Sequence, residues 1–228
     1  MKHLAIITAA VAASAGFASA QSTIVQTKSF SGVPDFSEPL LFNKYNGLAS
    51  NLLNVNISYS LTIVGGQFVM DNDANSPASV TANFGATLDA TSTDVQLRDN
   101  TFNLIVDDVA ALNTGTFNLA PNQGDGLNDY DPTGPDGAIL VGTTQTKTGN
   151  GDVAAMFLGG YVGTNQFTVN AIAKQVASLT SNSGVETATT PVSARGFVTV
   201  TYTVVPEPSS SALAGLAALG LAFRRRRA

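Results

Sequence analysis

Cysteine and tryptophan are absent from the 228 residues, and the single histidine is His3. If the leader expected below is removed, the remaining chain has neither imidazole nor thiol. Ser-His and Cys-His nucleophile pairs, histidine or thiolate metal centres and haem ligation each need one of those groups, so all are excluded. Charge is sparse as well, at 12% of residues. The chemistry left to the chain is that of carboxylates, hydroxyls, amides and a few Lys and Arg. Without disulfides, burial alone must hold an exported fold together, and about 185 residues between the two ends can bury one adequate core.

The scarce charges are unevenly placed. Of eleven basic residues, Lys2, Arg224, Arg225, Arg226 and Arg227 lie in the ends, whereas of sixteen acids only Glu207 does. Residues 21–205 therefore carry six basic and fifteen acidic side chains, a net of −9. Such a surface repels nucleic acid and anionic headgroups and suits cations or neutral polymers, so no nucleic-acid partner is expected.

Lys2 and His3, the apolar run 4–13 and the small-residue exit Ala18-Ser19-Ala20 have the three parts of a secretory signal peptide. Cleavage is expected after Ala20, leaving Gln21 first, which makes the Sec machinery and signal peptidase expected partners. At the other end Val205-Pro206-Glu207-Pro208 precedes an apolar segment, 209–223, and then the four arginines. A straight span needs about 20 apolar residues, so this short helix would rely on snorkelling arginines or a thinned bilayer. The arginines should stay cytoplasmic, which puts residues before Pro206 outside the inner membrane.

Pro206-Glu207-Pro208, the small-residue helix 209–223 and the terminal arginine cluster together resemble the PEP-CTERM sorting tail of Gram-negative and related bacteria. The resemblance implies recognition by an exosortase, a membrane transpeptidase that cuts near the motif and passes the protein to the surface. The two prolines hold an extended, helix-incompatible segment at the membrane edge, where an enzyme can read it. A plain, unprocessed C-terminal anchor is the alternative.

Between the ends the dominant signal is a period of two. Val55, Ile57, Tyr59, Leu61 and Ile63 alternate with Asn54, Asn56, Ser58, Ser60 and Thr62, and Val198, Val200, Tyr202 and Val204 alternate with Thr199, Thr201 and Thr203. Each pattern predicts a strand with one buried and one wet face. Gly65-Gly66 breaks the first pattern, predicting a bulge or tight turn before Phe68 and Met70. Further strands are expected at 23–30, 79–84, 101–106, 138–141, 154–158 and 166–173, and one short helical stretch at 106–112. Gly, Asn, Asp, Pro and Ser clusters separate them. The sum is an all-β, single-domain antiparallel β-sandwich of jelly-roll type over 21–205, between a signal helix at 1–20 and a sorting tail at 206–228.

Several short tracts of this middle region resemble the choice-of-anchor E domain, an exported bacterial family found ahead of sorting tails. They are Phe42-Asn43-Lys44-Tyr45-Asn46-Gly47, Asp71-Asn72-Asp73, Phe84-Gly85-Ala86-Thr87-Leu88, Phe157-Leu158-Gly159-Gly160 and Val198-Thr199-Val200-Thr201-Tyr202. The resemblance implies placement outside the cell and carries no catalytic residue.

Asp129, Asp131, Thr133 and Gly134 open with the spacing of a calcium loop, but Leu140 stands where a bidentate Glu belongs. Asp125 or Asp136 is a possible substitute, making Asp129, Asp131 and Asp136 the candidate calcium ligands; the alternative is a solvated crossover loop. Asp71-Asn72-Asp73 is expected in a hairpin loop. Asp107-Asp108 cannot flank one glycosidic bond if they are strand neighbours, since successive side chains point to opposite faces. Tyr45, Tyr59, Tyr130, Tyr161 and Tyr202 are expected in the core or an interface, and Arg98 and Arg195 as isolated surface charges or carboxylate partners. Taken together, the expectation is a non-catalytic structural or adhesive protein of the envelope or the extracellular polysaccharide matrix, with no cofactor beyond calcium. The alternatives are a calcium-assisted carbohydrate-binding module and a carboxylate glycoside hydrolase.

Overall fold

The structure, a computed structural model, describes residues 21–124, 131–180 and 184–206. The expected signal helix with Ala18 and Ala20, and residues Asp125, Asp129, Tyr130, Glu207, Pro208, 209–223 and Arg224, Arg225, Arg226 and Arg227, lie outside the described residues.

Eleven strands follow in chain order: β1 (Ser22–Gly32), β2 (Phe36–Asn43), β3 (Leu52–Val64), β4 (Gln67–Asn72), β5 (Ala78–Thr91), β6 (Val109–Leu119), β7 (Gly137–Val141), β8 (Gln145–Asp152), β9 (Gln166–Thr180), β10 (Val185–Thr190) and β11 (Ser193–Val204). Two 3-10 segments, Ala49–Asn51 and Ala155–Tyr161, sit in the β2–β3 and β8–β9 connections. Every strand pair is antiparallel, in sheets ordered β1-β11-β3-β8, β2-β9-β5-β6 and β10-β4-β7.

The three-stranded sheet continues the first one across a crease. Ser193 pairs with Val64 and Thr190 with Gln67, so Pro191 and Val192 lie across from Gly65 and Gly66. On the other side Gln145 pairs with Ile63 and Val141 with Gln67. Three long strands are thus interrupted at one level, and the neighbours stay neighbours on both sides. Gly65 and Gly66 make the break possible, with φ of 71° and 79° that only glycine adopts cheaply. Counting each creased pair once leaves eight strands. One layer then runs first, eighth, third, sixth and the other second, seventh, fourth, fifth.

Alternation drives the layers together. Val55, Ile57, Leu61 and Ile63 of β3 and Val198, Val200 and Tyr202 of β11 are fully buried and belong to one hydrophobic cluster with Val80, Phe84 and Leu88 of β5 and Phe167 and Val169 of β9. Each large side chain so buried contributes roughly 1.5–3 kcal/mol. On the near side of the crease Phe30 of β1 meets Phe36 of β2, ring centroids 6.3 Å apart, and beyond it Phe68 of β4 stacks on Phe84 of β5 at 5.9 Å. The second layer thus packs against both halves of the creased one.

The all-β, sandwich-like expectation agrees with the structure, but local assignments differ. Residues 106–112 were expected to be helical; Val109–Leu119 is strand β6, because pairing with β5 along eleven residues outweighs the weak helical preference of Ala110-Ala111-Leu112. The stretch 154–158 forms the start of a 3-10 segment, and 101–106 is a loop with one isolated bridge, Arg98 to Leu104. Asp71 and Asn72 end strand β4 as buried residues, and the segment after them passes to the other layer. β2, β8 and β10 were not expected. Among the described residues no helix is long and apolar enough to cross a membrane.

The crease makes a quantitative prediction. A Cβ on Gly66 would meet Thr190 O at 2.8 Å and Val192 N at 2.9 Å, whereas one on Gly65 meets nothing within 4 Å. Gly65→Ala should therefore cost only the left-handed backbone, about 1–2 kcal/mol, and Gly66→Ala distinctly more. Urea unfolding of the two variants checks the order, and equal midpoints would refute it.

Candidate functional site

The outward face of the β1-β11-β3-β8 sheet is an array of small polar side chains. Antiparallel register aligns them in rows: Thr27, Thr199, Ser58 and Asn150; Val25, Thr201, Asn56 and Asp152; Ser29, Phe197, Ser60 and Thr148; Ser31, Arg195, Thr62 and Thr146. Of these sixteen positions twelve carry an uncharged hydroxyl or amide, and the two charges are opposite in sign. Branched threonine suits an exposed pleated surface, so the pattern is compatible with a stable sheet.

Hydrogen bonds order this face. The Thr27 and Thr199 hydroxyls meet at 2.8 Å, and those of Thr62 and Thr146 at 2.9 Å. Asn56 and Asn54 both donate their side-chain amides to Asp152 Oδ1, at 2.7 and 2.8 Å. These two donations, Asn56 first, hold the Asp152 carboxyl below its ordinary range. Near the crease the face dips into an open depression of about 490 Å³, lined by Ser29, Ser31, Glu38, Ser60, Arg195 and Phe197 among others. Glu38 there accepts the Ser31 N–H at 3.3 Å. Phe197, 40% exposed, is the one aromatic ring among the sixteen positions.

Among the described residues the tyrosines form no sugar platform on this face. Tyr161 and Tyr202 are fully buried, their hydroxyls donating to Gln96 O and Asn43 O at 2.8 Å, and burial pushes both phenols upward. Tyr45 and Tyr59 pack partly buried against the core. Arg98 donates to the Phe102 carbonyl at 2.6 Å, and Arg195 borders the depression.

The acidic residues singled out by spacing are spread over separate tasks. Asp131 Oδ1 accepts the Thr133 hydroxyl at 2.7 Å and its N–H at 2.9 Å, which lowers the Asp131 carboxyl. Asp136 is fully buried; its Oδ2 accepts the Gln123 N–H at 2.6 Å, and among the described residues its Oδ1 has no hydrogen-bond partner. Among the described residues no group of three or more His, Cys, Asp or Glu is placed to hold a metal ion. Asn72 ties the β4–β5 connection to the β6–β7 one, donating to Ser76 O at 2.9 Å and Ala120 O at 2.6 Å.

Asp107 and Asp108 lie in the loop before β6, not on a strand, and Asp108 has φ of 46°. Its N–H donates to Asp89 Oδ1 at 2.7 Å, and Lys174 pairs with Asp89 Oδ2 at 2.8 Å. Burial opposes ionisation of Asp89, but Lys174 and the Asp108 N–H outweigh it and its carboxyl titrates low.

The two ends of the domain emerge side by side. Ser22 pairs with Val204, so Gln21, the residue expected to follow signal cleavage, lies next to the exit of β11. β11 is an inner strand, flanked along its length by β1 and β3, and the Val205 N–H donates to Asn51 O at 2.8 Å. Pro206 follows at once, two residues after the end of β11.

The outer face itself yields one pH-dependent prediction. Because the Asp152 pKa is lower folded than unfolded, its small contribution to stability is present above the ordinary carboxylate range and lost as pH falls through the folded value. Asn56→Ala with Asn54→Ala should move the Asp152 carboxyl titration, followed by NMR, up toward an ordinary value. An unmoved titration would show that the amides do not hold it.

Among solved structures, the chain is similar to "Structure of infectious bursal disease virus Gx strain", at 11% identity and TM-score 0.17 over 84% of this chain and 44% of that one. It is also similar to "Crystal structure of infectious bursal disease virus VP2 subviral particle", at 14% identity and TM-score 0.11 over 89% and 49%. The chain spans less than half the length of those viral chains. No curated protein matches it. A family model does match at the C-terminal end: residues 204–227, starting with the last residue of β11, carry the PEP-CTERM protein-sorting motif.

Proposed function

We propose that the chain is an exported bacterial protein, sorted to the cell surface and processed at its tail by an exosortase-type membrane transpeptidase, with a non-catalytic structural or adhesive role in the envelope or extracellular polysaccharide matrix. The observation that carries this reading is the sorting motif at 204–227, which starts at the last residue of β11. The signal peptide at 1–20 supplies the entry half of the same route, through the Sec machinery and signal peptidase after Ala20. The tail anchors the protein in the inner membrane until it is cut. The domain serves as a jelly-roll passenger of the choice-of-anchor E type; the two-layer strand order supports the first description and the short shared tracts the second. Replacing Pro206, Glu207 and Pro208 with alanine should trap a longer, membrane-bound form. Equal processing of variant and wild type on a gel would reject the transpeptidase step.

The polar sheet face supports neutral polysaccharide as the contact of the sorted domain. Its hydroxyls and amides match the hydrogen-bonding groups of sugars, Phe197 offers one ring, and a domain of net −9 is repelled by polyanions. Calcium assistance is the second reading, favoured by the unpartnered buried oxygen of Asp136. Retention of the domain on insoluble neutral polysaccharide, with and without EDTA, separates them. Retention that Thr199→Lys with Thr201→Lys lowers several-fold assigns the face, and loss of retention in EDTA assigns the calcium-assisted mode. No retention on any neutral polymer would discard both.

A further inference from the structure

Resting on the reading of the polar face as a polysaccharide contact, we infer that the depression beside Phe197 seats one uncharged pyranose unit, with the Phe197 ring against its C–H face and Arg195, Glu38 and Ser60 at its hydroxyls. The hollow follows from side-chain size. In one row of the face Phe197 has Ser29 on one side and Ser60 on the other, and in the next row Arg195 lies between Ser31 and Thr62. Such small neighbours leave an open depression of about 490 Å³ beside the two larger side chains. Small-ligand sites occupy roughly 300–1,000 Å³, so the space is adequate for a sugar ring.

Three groups in this depression lack the partners that such groups usually find. Phe197 is 40% exposed and among the described residues meets no other ring, whereas the exposed Phe102 packs edge-on against Phe157 at 6.1 Å. Ser60 is only 6% exposed, and among the described residues its hydroxyl has no hydrogen-bond partner. A nearly buried hydroxyl left so costs free energy that a ligand hydroxyl would recover. Arg195 makes no ion pair or hydrogen bond among the described residues, although Glu38 lines the same depression. Glu38 accepts the Ser31 N–H through Oε2, which leaves Oε1 for a ligand. Opposite charges held apart across one depression disfavour simple ions of either sign, since Glu38 repels anions and Arg195 repels cations. An apolar ligand would strip water from both charges and replace none of their hydrogen bonds. A neutral ring with hydroxyls at its edge meets every requirement. Arg195 donates to those hydroxyls and Glu38 accepts from them, both as charge-assisted bonds, while the C–H face of the sugar covers Phe197.

Retention of the native secreted protein on cellulose, chitin and insoluble β-1,3-glucan tests the seat. On whichever of these holds the wild type, Phe197→Ala should weaken retention about fivefold and Arg195→Met about tenfold, with Phe197→Tyr close to wild type. Ser31→Phe, which fills the depression without removing a ring or a charge, should weaken it as far. Melting temperatures close to the wild-type value show that each variant is folded. Wild-type retention that none of Phe197→Ala, Arg195→Met and Ser31→Phe lowers overturns the seat and leaves the polysaccharide reading of the face standing. A loss in Arg195→Met with Phe197→Ala unchanged assigns a charge contact alone and overturns the stacked ring. Wild type retained on none of the three polymers overturns the polysaccharide reading, and the inference with it.

Discussion

Strand β11 carries the constraint on which the rest depends. It is hydrogen-bonded on both sides, to β1 from Ser22 to Gly32 and to β3 from Leu52 to Val64, and it ends directly in the sorting segment. Its inward side chains, Val198, Val200, Tyr202 and Val204, join the core, while its outward threonines form the middle of the polar face. Pulling on the tail therefore loads the centre of a sheet, where many backbone hydrogen bonds resist together.

The crease gives the two layers different outlines. Below it, the polar face is broad and four strands wide; above it, the three short strands pack against β5 and β6, and these strands and their loops carry the acidic residues Asp71, Asp73, Asp131, Asp136 and Glu186.

How much of this was legible in the sequence varies with the physics of each element. β3 and β11 declared themselves because both are inner strands whose buried residues alternate strictly with Asn, Ser and Thr. β8 was invisible: Gln-Thr-Lys-Thr-Gly-Asn-Gly-Asp has no apolar residue, and it is a strand only because it lies on the edge beside β3. β2 was masked by Pro39, which is tolerated at a sheet edge, and β10 by its Glu and Thr content. The segment 101–106 looked like a strand, yet Phe102 has φ of 65°, and the Asp99 carboxylate accepting the Thr101 and Asn103 N–H groups organises a turn. The polar face was half legible, since the wet residues of β3 and β11 are plain in the alternation while their alignment with β1 and β8 needs the register. The sorting motif was fully legible because it is a linear pattern of residues that needs neither register nor packing to be seen.

The central claim is that this molecule travels across a bilayer and is trimmed at both ends. Intact mass of the native secreted protein measures that most directly. The account predicts a chain that begins at Gln21 and stops near the Pro206-Glu207-Pro208 segment, with any attached glycan or lipid visible as added mass. Full-length protein retaining both apolar ends, recovered free in the cytosol, would contradict it.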